Sequence, residues 1–129
     1  YRTFLTAAGK NLASTPTPLT REVVIAETRE RAWELAEKYV MVNYRDEYGG
    51  GWKHPLIGSQ DQTPVELDSL SKTRFIVGNP QDCIAQIRRF VEMFGVDHLI
   101  CRLYFAGMPH DHIMAELKFL AKEVIPAFR

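Results

Sequence analysis

The sequence predicts an α/β protein built on a parallel sheet. Three observations carry that expectation: short apolar runs at Val23–Ala26, Phe75–Val77 and within Val96–Phe105, an amphipathic stretch with three- and four-residue apolar spacing after each, and capping residues where runs pass into helices. A run apolar at consecutive positions suits a strand covered on both faces, and strand–helix alternation calls for right-handed crossovers and parallel pairing.

In chain order, Tyr1 to Ala8 is helix-compatible and Gly9 suits its C-terminal cap. No capping residue opens this helix, as expected of a helix whose earlier turns precede the chain or of one that frays at its start. Residues 11–20, with Ser14, Pro16 and Pro18, read as a turn-rich connector into the strand Val23–Ala26. Thr28 then caps a helix whose inward stripe is Ala32, Trp33, Ala36, Tyr39, Val40, Asn43 and Tyr44; it ends near Tyr48 at three consecutive glycines. Residues 49–74 form one long irregular segment, and such loops in compact domains are commonly functional or mobile. Phe75–Val77 is the second strand. Asn79 with Pro80 starts a helix that buries Cys83, Ile84, Ile87, Phe90, Val91 and Phe94 and stops at Gly95. The third strand follows within residues 96–105. After the turn at Gly107-Met108-Pro109, Asp111 is expected to cap a last helix whose buried face is Ile113, Met114, Leu117, Leu120, Val124 and Ile125. With every helix on one side, the other face of these three strands still needs apolar cover, from further strands of a barrel or from another copy of the chain.

At 129 residues, 46% hydrophobic and 25% charged, the chain fits one domain with a real core. Sixteen basic and sixteen acidic side chains cancel, so no global field favours nucleic acid or an anionic membrane. Cys83 and Cys101 sit among apolar neighbours, which reads as reduced thiols in a cytoplasmic protein. No stretch approaches the roughly 20 apolar residues of a membrane span, and no charged leader precedes an apolar core. There is no nucleophile elbow, P-loop or dinucleotide glycine fingerprint, which leaves hydrolase and nucleotide-kinase readings without support. His110 and His112 are two residues apart and do not share a helix face, so no metal site is expected, and His98, just after a helix-to-strand turn, is expected to serve stability.

Several residues have two readings. The Gly78-Asn79-Pro80 turn could cradle an anion at a helix N-terminus, or be a well-capped turn and nothing more. Arg102, flanked by apolar residues, must either form an ion pair or reach from the strand end to a cofactor or substrate. Tyr44, Tyr48, Trp52 and His54 lie where a helix runs into the long segment; they could line a pocket or simply pack a helix end.

The segments Arg21–Thr28, Val77–Cys83, Gly95–Leu99 and Glu123–Phe128 together resemble the C-terminal end of the luciferase-like, flavin-dependent monooxygenases, with Asn79 where the family commonly carries Ser or Thr. The resemblance runs from about Leu19 to Phe128. It implies the C-terminal part, about three βα units, of a (β/α)8 TIM barrel with outer helices: residues 19–48 as the sixth unit, 49–74 as a lid-like loop, 75–95 as the seventh and 96–129 as the eighth. It further implies a reduced flavin, FMN or F420, used with oxygen on a small organic substrate. Gly78, Asn79 and Arg102 would then be cofactor contacts, and Tyr44, Tyr48, Trp52 and His54 substrate or lid residues; no catalytic or metal-binding residue is assigned. In the bacterial luciferase branch the flavin phosphate is gripped largely from earlier strands, so the chain alone is expected to be incomplete, inactive and flavin-free, and to form a homo-oligomer over its open sheet. The alternative is a non-catalytic, self-associating α/β module.

Overall fold

The computed structural model describes residues 2–11, 14–46 and 65–129. Strand β1 spans Pro18–Ile25, longer than the apolar run alone predicts. Its second half, Val23–Ile25, is wholly buried, whereas Pro18 to Arg21 alternate between exposed and half-buried. That polar half is a strand because it pairs: β3 (His98–Arg102) lies parallel to it, with Pro18 opposite His98 and Glu22 opposite Arg102. β2 (Ile76–Gly78) lies parallel to the apolar half, with Val23 opposite Ile76 and Ile25 opposite Gly78.

The three strands are all parallel, in the order β2-β1-β3. Three successive units round a barrel would instead place each strand beside the next in sequence. β2 is three residues long and passes at once into a helix; it pairs with Val23–Ile25 of β1, and β3 with residues 18–22.

Helix α1 (Arg2–Ala7) precedes the sheet. α2 (Arg29–Leu35) starts at Thr28, whose hydroxyl accepts the Arg31 N–H, and continues through a π-helical turn (Ala36–Val40) into α3 (Met41–Asp46). The wide turn shifts the inward face, so Leu35 and Met41 join Ala32, Ala36, Val40 and Tyr44 in the core while Trp33, Tyr39 and Asn43 are half-buried. Within the stretch expected to be irregular, Leu67–Thr73 forms α4, which buries Leu67 and Leu70. α5 (Pro80–Phe94) starts at Asn79 and ends at Gly95, whose left-handed backbone (φ 64°, ψ 39°) closes it. Val91 and Phe94, expected to be buried there, are exposed. α6 (His110–Phe119) begins after Pro109 rather than at Asp111, and a π-helical turn (Leu120–Val124) and a 3-10 turn (Ile125–Phe128) follow.

Side-chain alternation along β1 builds two cores. Val24 and Ala26 join Val77 under α2, α3 and α4; Val23 and Ile25 join Ile76 under α5 and the turns after α6. Helices therefore cover both faces, and the expectation of one open face does not hold for β1 or β2. The connection from β2 must cross β1 to reach the far edge, so α5 takes the face that α2–α4 leave free.

Candidate functional site

An open parallel sheet offers ligands the crevice beyond its strands' C-terminal ends, where the strand order reverses. Here that place lies between β1 and β3. Three polar clusters lie at the C-terminal ends of the strands, two of them on the β3 side of β1 and the third after β2.

The first is centred on Glu22, whose side chain is 4% exposed. Tyr44 donates its hydroxyl to Glu22 Oε1 at 2.8 Å, and Arg102 Nη1 stands 3.5 Å from the same oxygen. The Arg102 guanidinium also lies 5.3 Å from the centre of the Phe105 ring. Arg102 thus meets the need of a cation in an apolar strand by forming a structural ion pair. Tyr44 is buried, its ring edge-on to Phe75 at 4.9 Å, so it belongs to the core. Tyr48, Trp52 and His54 lie outside the described residues.

The second cluster was not singled out from sequence. β3 leaves β1 after Arg102, and the Ile25 N–H, freed of a strand partner, donates to Glu116 Oε1 of α6 at 3.0 Å. Glu116 is wholly buried, its Oε2 has no partner among the described residues, and His112 Nε2 stands 3.4 Å from Oε1. Burial pushes the Glu116 carboxyl up to about 8, against the pull of the Ile25 N–H. Burial also lowers the His112 imidazole, helped by Arg31 and opposed by Glu27. Burial thus favours a carboxylic acid beside a neutral imidazole, whose buried Nε2 makes no hydrogen bond among the described residues. A signal was present: Glu116 stands three residues after Ile113 and four before Leu120, on the inward line of its helix. Glu22 gave a similar one, two residues before Val24 on the same strand face.

The third cluster is the turn after β2. Asn79 Oδ1 accepts the Asp82 N–H at 3.0 Å while an Asp82 oxygen accepts the Asn79 N–H at 3.3 Å, a reciprocal cap, and Arg29 clamps the same carboxylate. The Arg29 guanidinium holds Asp82 below the usual carboxylate range. A Cβ on Gly78 would stand 2.5 Å from Asp82 Cβ, and its backbone φ of 153° is one that side chains rarely adopt. The chain's own carboxylate thus fills the place an anion would take. Pro80 has no N–H to offer, the Asn79 and Asp82 N–H groups are already bonded, and Asp82 would repel a phosphate. The described turn is a reciprocally capped helix start closed by its own carboxylate, which is the second of the two readings of Gly78 and Asn79.

Gly78 and Arg102 flank β1 on opposite edges, so the three expected cofactor contacts do not converge. Both cysteines are free. Burial pushes the Cys83 thiol up to about 12 and raises Cys101, so neither is poised as a thiolate. Among the described residues no group of three potential ligands could hold a metal, and no helix is long and apolar enough to cross a membrane.

No protein-family model and no curated protein matches the chain. Solved structures do. The monooxygenase RslO1 from Streptomyces bottropensis superposes with a TM-score of 0.75 at 17% identity, over 100% of this chain and 36% of that one. The oxygenating constituent of 3,6-diketocamphane monooxygenase from the CAM plasmid of Pseudomonas putida, a type II Baeyer–Villiger monooxygenase in complex with FMN, gives 0.57 at 21% identity over 98% and 37%. The long-chain alkane monooxygenase LadA gives 0.58 at 20% identity over 97% and 31%. The chain has the fold of a part of these enzymes and spans about a third of their length.

Proposed function

We propose that the chain is the C-terminal part of a luciferase-like, flavin-dependent monooxygenase that oxidises a small organic substrate with reduced flavin and oxygen, and that it is not a complete catalyst alone. The observation that supports this most is the likeness of nearly the whole chain to part of three monooxygenases, one of them in complex with FMN. FMN or F420 would supply the redox chemistry, while the protein supplies orientation and exclusion of water. The turn after β2 is closed by its own Asp82, so in this reading the flavin phosphate is gripped by other parts of the enzyme, and this chain contributes wall, core and the Glu116–His112 pair.

The test is a fluorescence titration of FMN and of F420 into two proteins. The present chain should show no saturable binding at micromolar flavin. The same chain preceded by its in-frame upstream coding sequence should bind one flavin per polypeptide and consume oxygen once that flavin is reduced. A longer polypeptide that takes up neither flavin would defeat the proposal.

One observation favours a second reading, that of a non-catalytic α/β module. Val23, Val24 and Ile25 are all fully buried, so the central strand has found cover on both faces within this one chain. An upstream stop codon directly before a start codon would support it.

A further inference from the structure

Side chains stand in for strand partners at two places in the sheet. Gln86 of α5 bonds both the N–H and the C=O of Val77 on β2, at 3.1 and 2.9 Å, through an amide that stays neutral at any pH. At the end of β1, where β3 no longer pairs, the Ile25 N–H is served by the carboxyl of Glu116 instead.

Glu116 also seats its helix. α5 buries Pro80, Cys83, Ile84, Ile87 and Phe90, whereas Glu116 is the one buried residue of α6. Ile113 and Phe119 are half-buried, Met114 and Leu117 are exposed, and no side chain caps the first turn. An element with so little apolar burial opens at a lower cost than its neighbours.

The surroundings of Glu116 favour its acid form. His112 on the same helix stands 3.4 Å from Oε1; Glu27 after β1 and Arg31 on α2 act on that imidazole with opposite sign, and Cys83 on α5 feels the Glu116 charge. Arg31 bonds Glu34 at 3.0 Å, and Glu116 Oε2 has no partner among the described residues. Ionised, the carboxyl is a charge without a counter-ion in a dry core, and moving the helix that carries it is the cheapest release.

We propose that Glu116 is a proton-operated latch: neutral, it holds α6 over the end of β1; ionised, it releases α6 and bares that end while the rest of the sheet stays folded. The end of β1 borders the crevice where parallel sheets take ligands, so the latch sets how open that crevice is. Open, the carboxyl titrates near 4.5, and docked, near 8. Between those values only the docked state holds the proton, so each pH unit makes opening up to about tenfold easier, and above 8 the gain levels off. His112 opposes this up to its ordinary value of 6.5, because its lowered imidazole takes up a proton on opening. The net gain therefore falls between about pH 7 and 8. This inference does not rest on the oxidoreductase reading, whose test is flavin uptake.

The experiment is native-state hydrogen exchange of the chain from about pH 5.5 to 9, with urea below the unfolding transition, each amide's rate taken relative to its unprotected rate at that pH. Ile25 and the amides of α6 should lose about tenfold in protection between about pH 7 and 8, hold level above, and not respond to urea. Amides of β2 and α5 should stay at least about tenfold better protected and yield to urea, as groups that wait for the whole chain to unfold. Glu116→Gln keeps an acceptor for the Ile25 N–H and should remove the dependence above about pH 7, and His112→Gln should extend it to lower pH. Exchange of Ile25 and α6 in step with β2, in pH and in urea, overturns the proposal. So does protection there that ignores pH, or a Glu116→Gln chain that keeps the dependence. Where that variant does not fold, the two classes of amide in the parent decide alone.

Discussion

Glu116 couples its own protonation to the docking of α6 on β1. Unfolded, its carboxyl titrates near 4.5; folded, near 8. Between those values the native state holds a proton that the unfolded state has released, so the stability it contributes is full below about 4.5 and is lost as the pH rises through 8. His112 acts the other way, because its lowered imidazole favours the native state as the pH climbs to its ordinary value; above about 7 only Glu116 of the pair still titrates. Urea denaturation should therefore show stability falling by a few kcal/mol between about pH 5 and 8.5, most steeply at the upper end. Glu116→Gln keeps an oxygen for the Ile25 N–H and should flatten that fall. Tyr44→Phe should cost about 1–3 kcal/mol, since it strips a hydrogen bond from a buried carboxylate. If that variant is as stable as the parent in the same denaturation, Glu22 is not held as described.

At the scale of elements, the turn into α5 makes the sharpest demand on residue type. Asn79→Ala removes half of a reciprocal cap and should cost about 1 kcal/mol. Gly78→Ala should cost more, about 1–3 kcal/mol, because it adds a strained backbone to a clash with the Asp82 side chain, which Arg29 and Asn79 hold in place. Thermal melts would rank the two, and the reverse order would mean that Asp82 gives way. The Gln86 clamp is the other element-scale device. Gln86→Leu keeps bulk but abandons both polar groups of Val77, so it should speed hydrogen exchange in β2 more than in β3, which Gln86 does not touch.

For the whole molecule, the two cores decide whether the chain stands alone. A sheet with one bare apolar face would collapse loosely, whereas β1 buried on both sides supports a single cooperative unit. The isolated chain should therefore show near-ultraviolet circular dichroism that is lost in one transition, coincident with the loss of helix. Coincidence would hold whether or not flavin binds, since none of the two cores' residues waits for a ligand; a helical state without near-ultraviolet signal would contradict the packing described.

Strand polarity and the places where helices begin could be read from residues alone, because they depend on local rules. Thr28 and Asn79 accept from N–H groups three residues on, Gly95 takes a backbone that side chains avoid, and alternation of strands with helices dictates parallel pairing. Other features depend on partners distant in sequence. The polar first half of β1 is a strand only because β3, some 80 residues later, lies beside it. The order β2-β1-β3, the split of helices between two faces and the helical content of residues 67–73 were likewise set by what packs against what. The candidate site follows the same division. Arg102 could be recognised as a charge needing a partner, but only the fold supplied Glu22. Glu116 stands on the inward line of its helix, but only the packing of α6 across the end of β1 brings it to a backbone N–H that had lost its strand, where a buried oxygen replaces the partner.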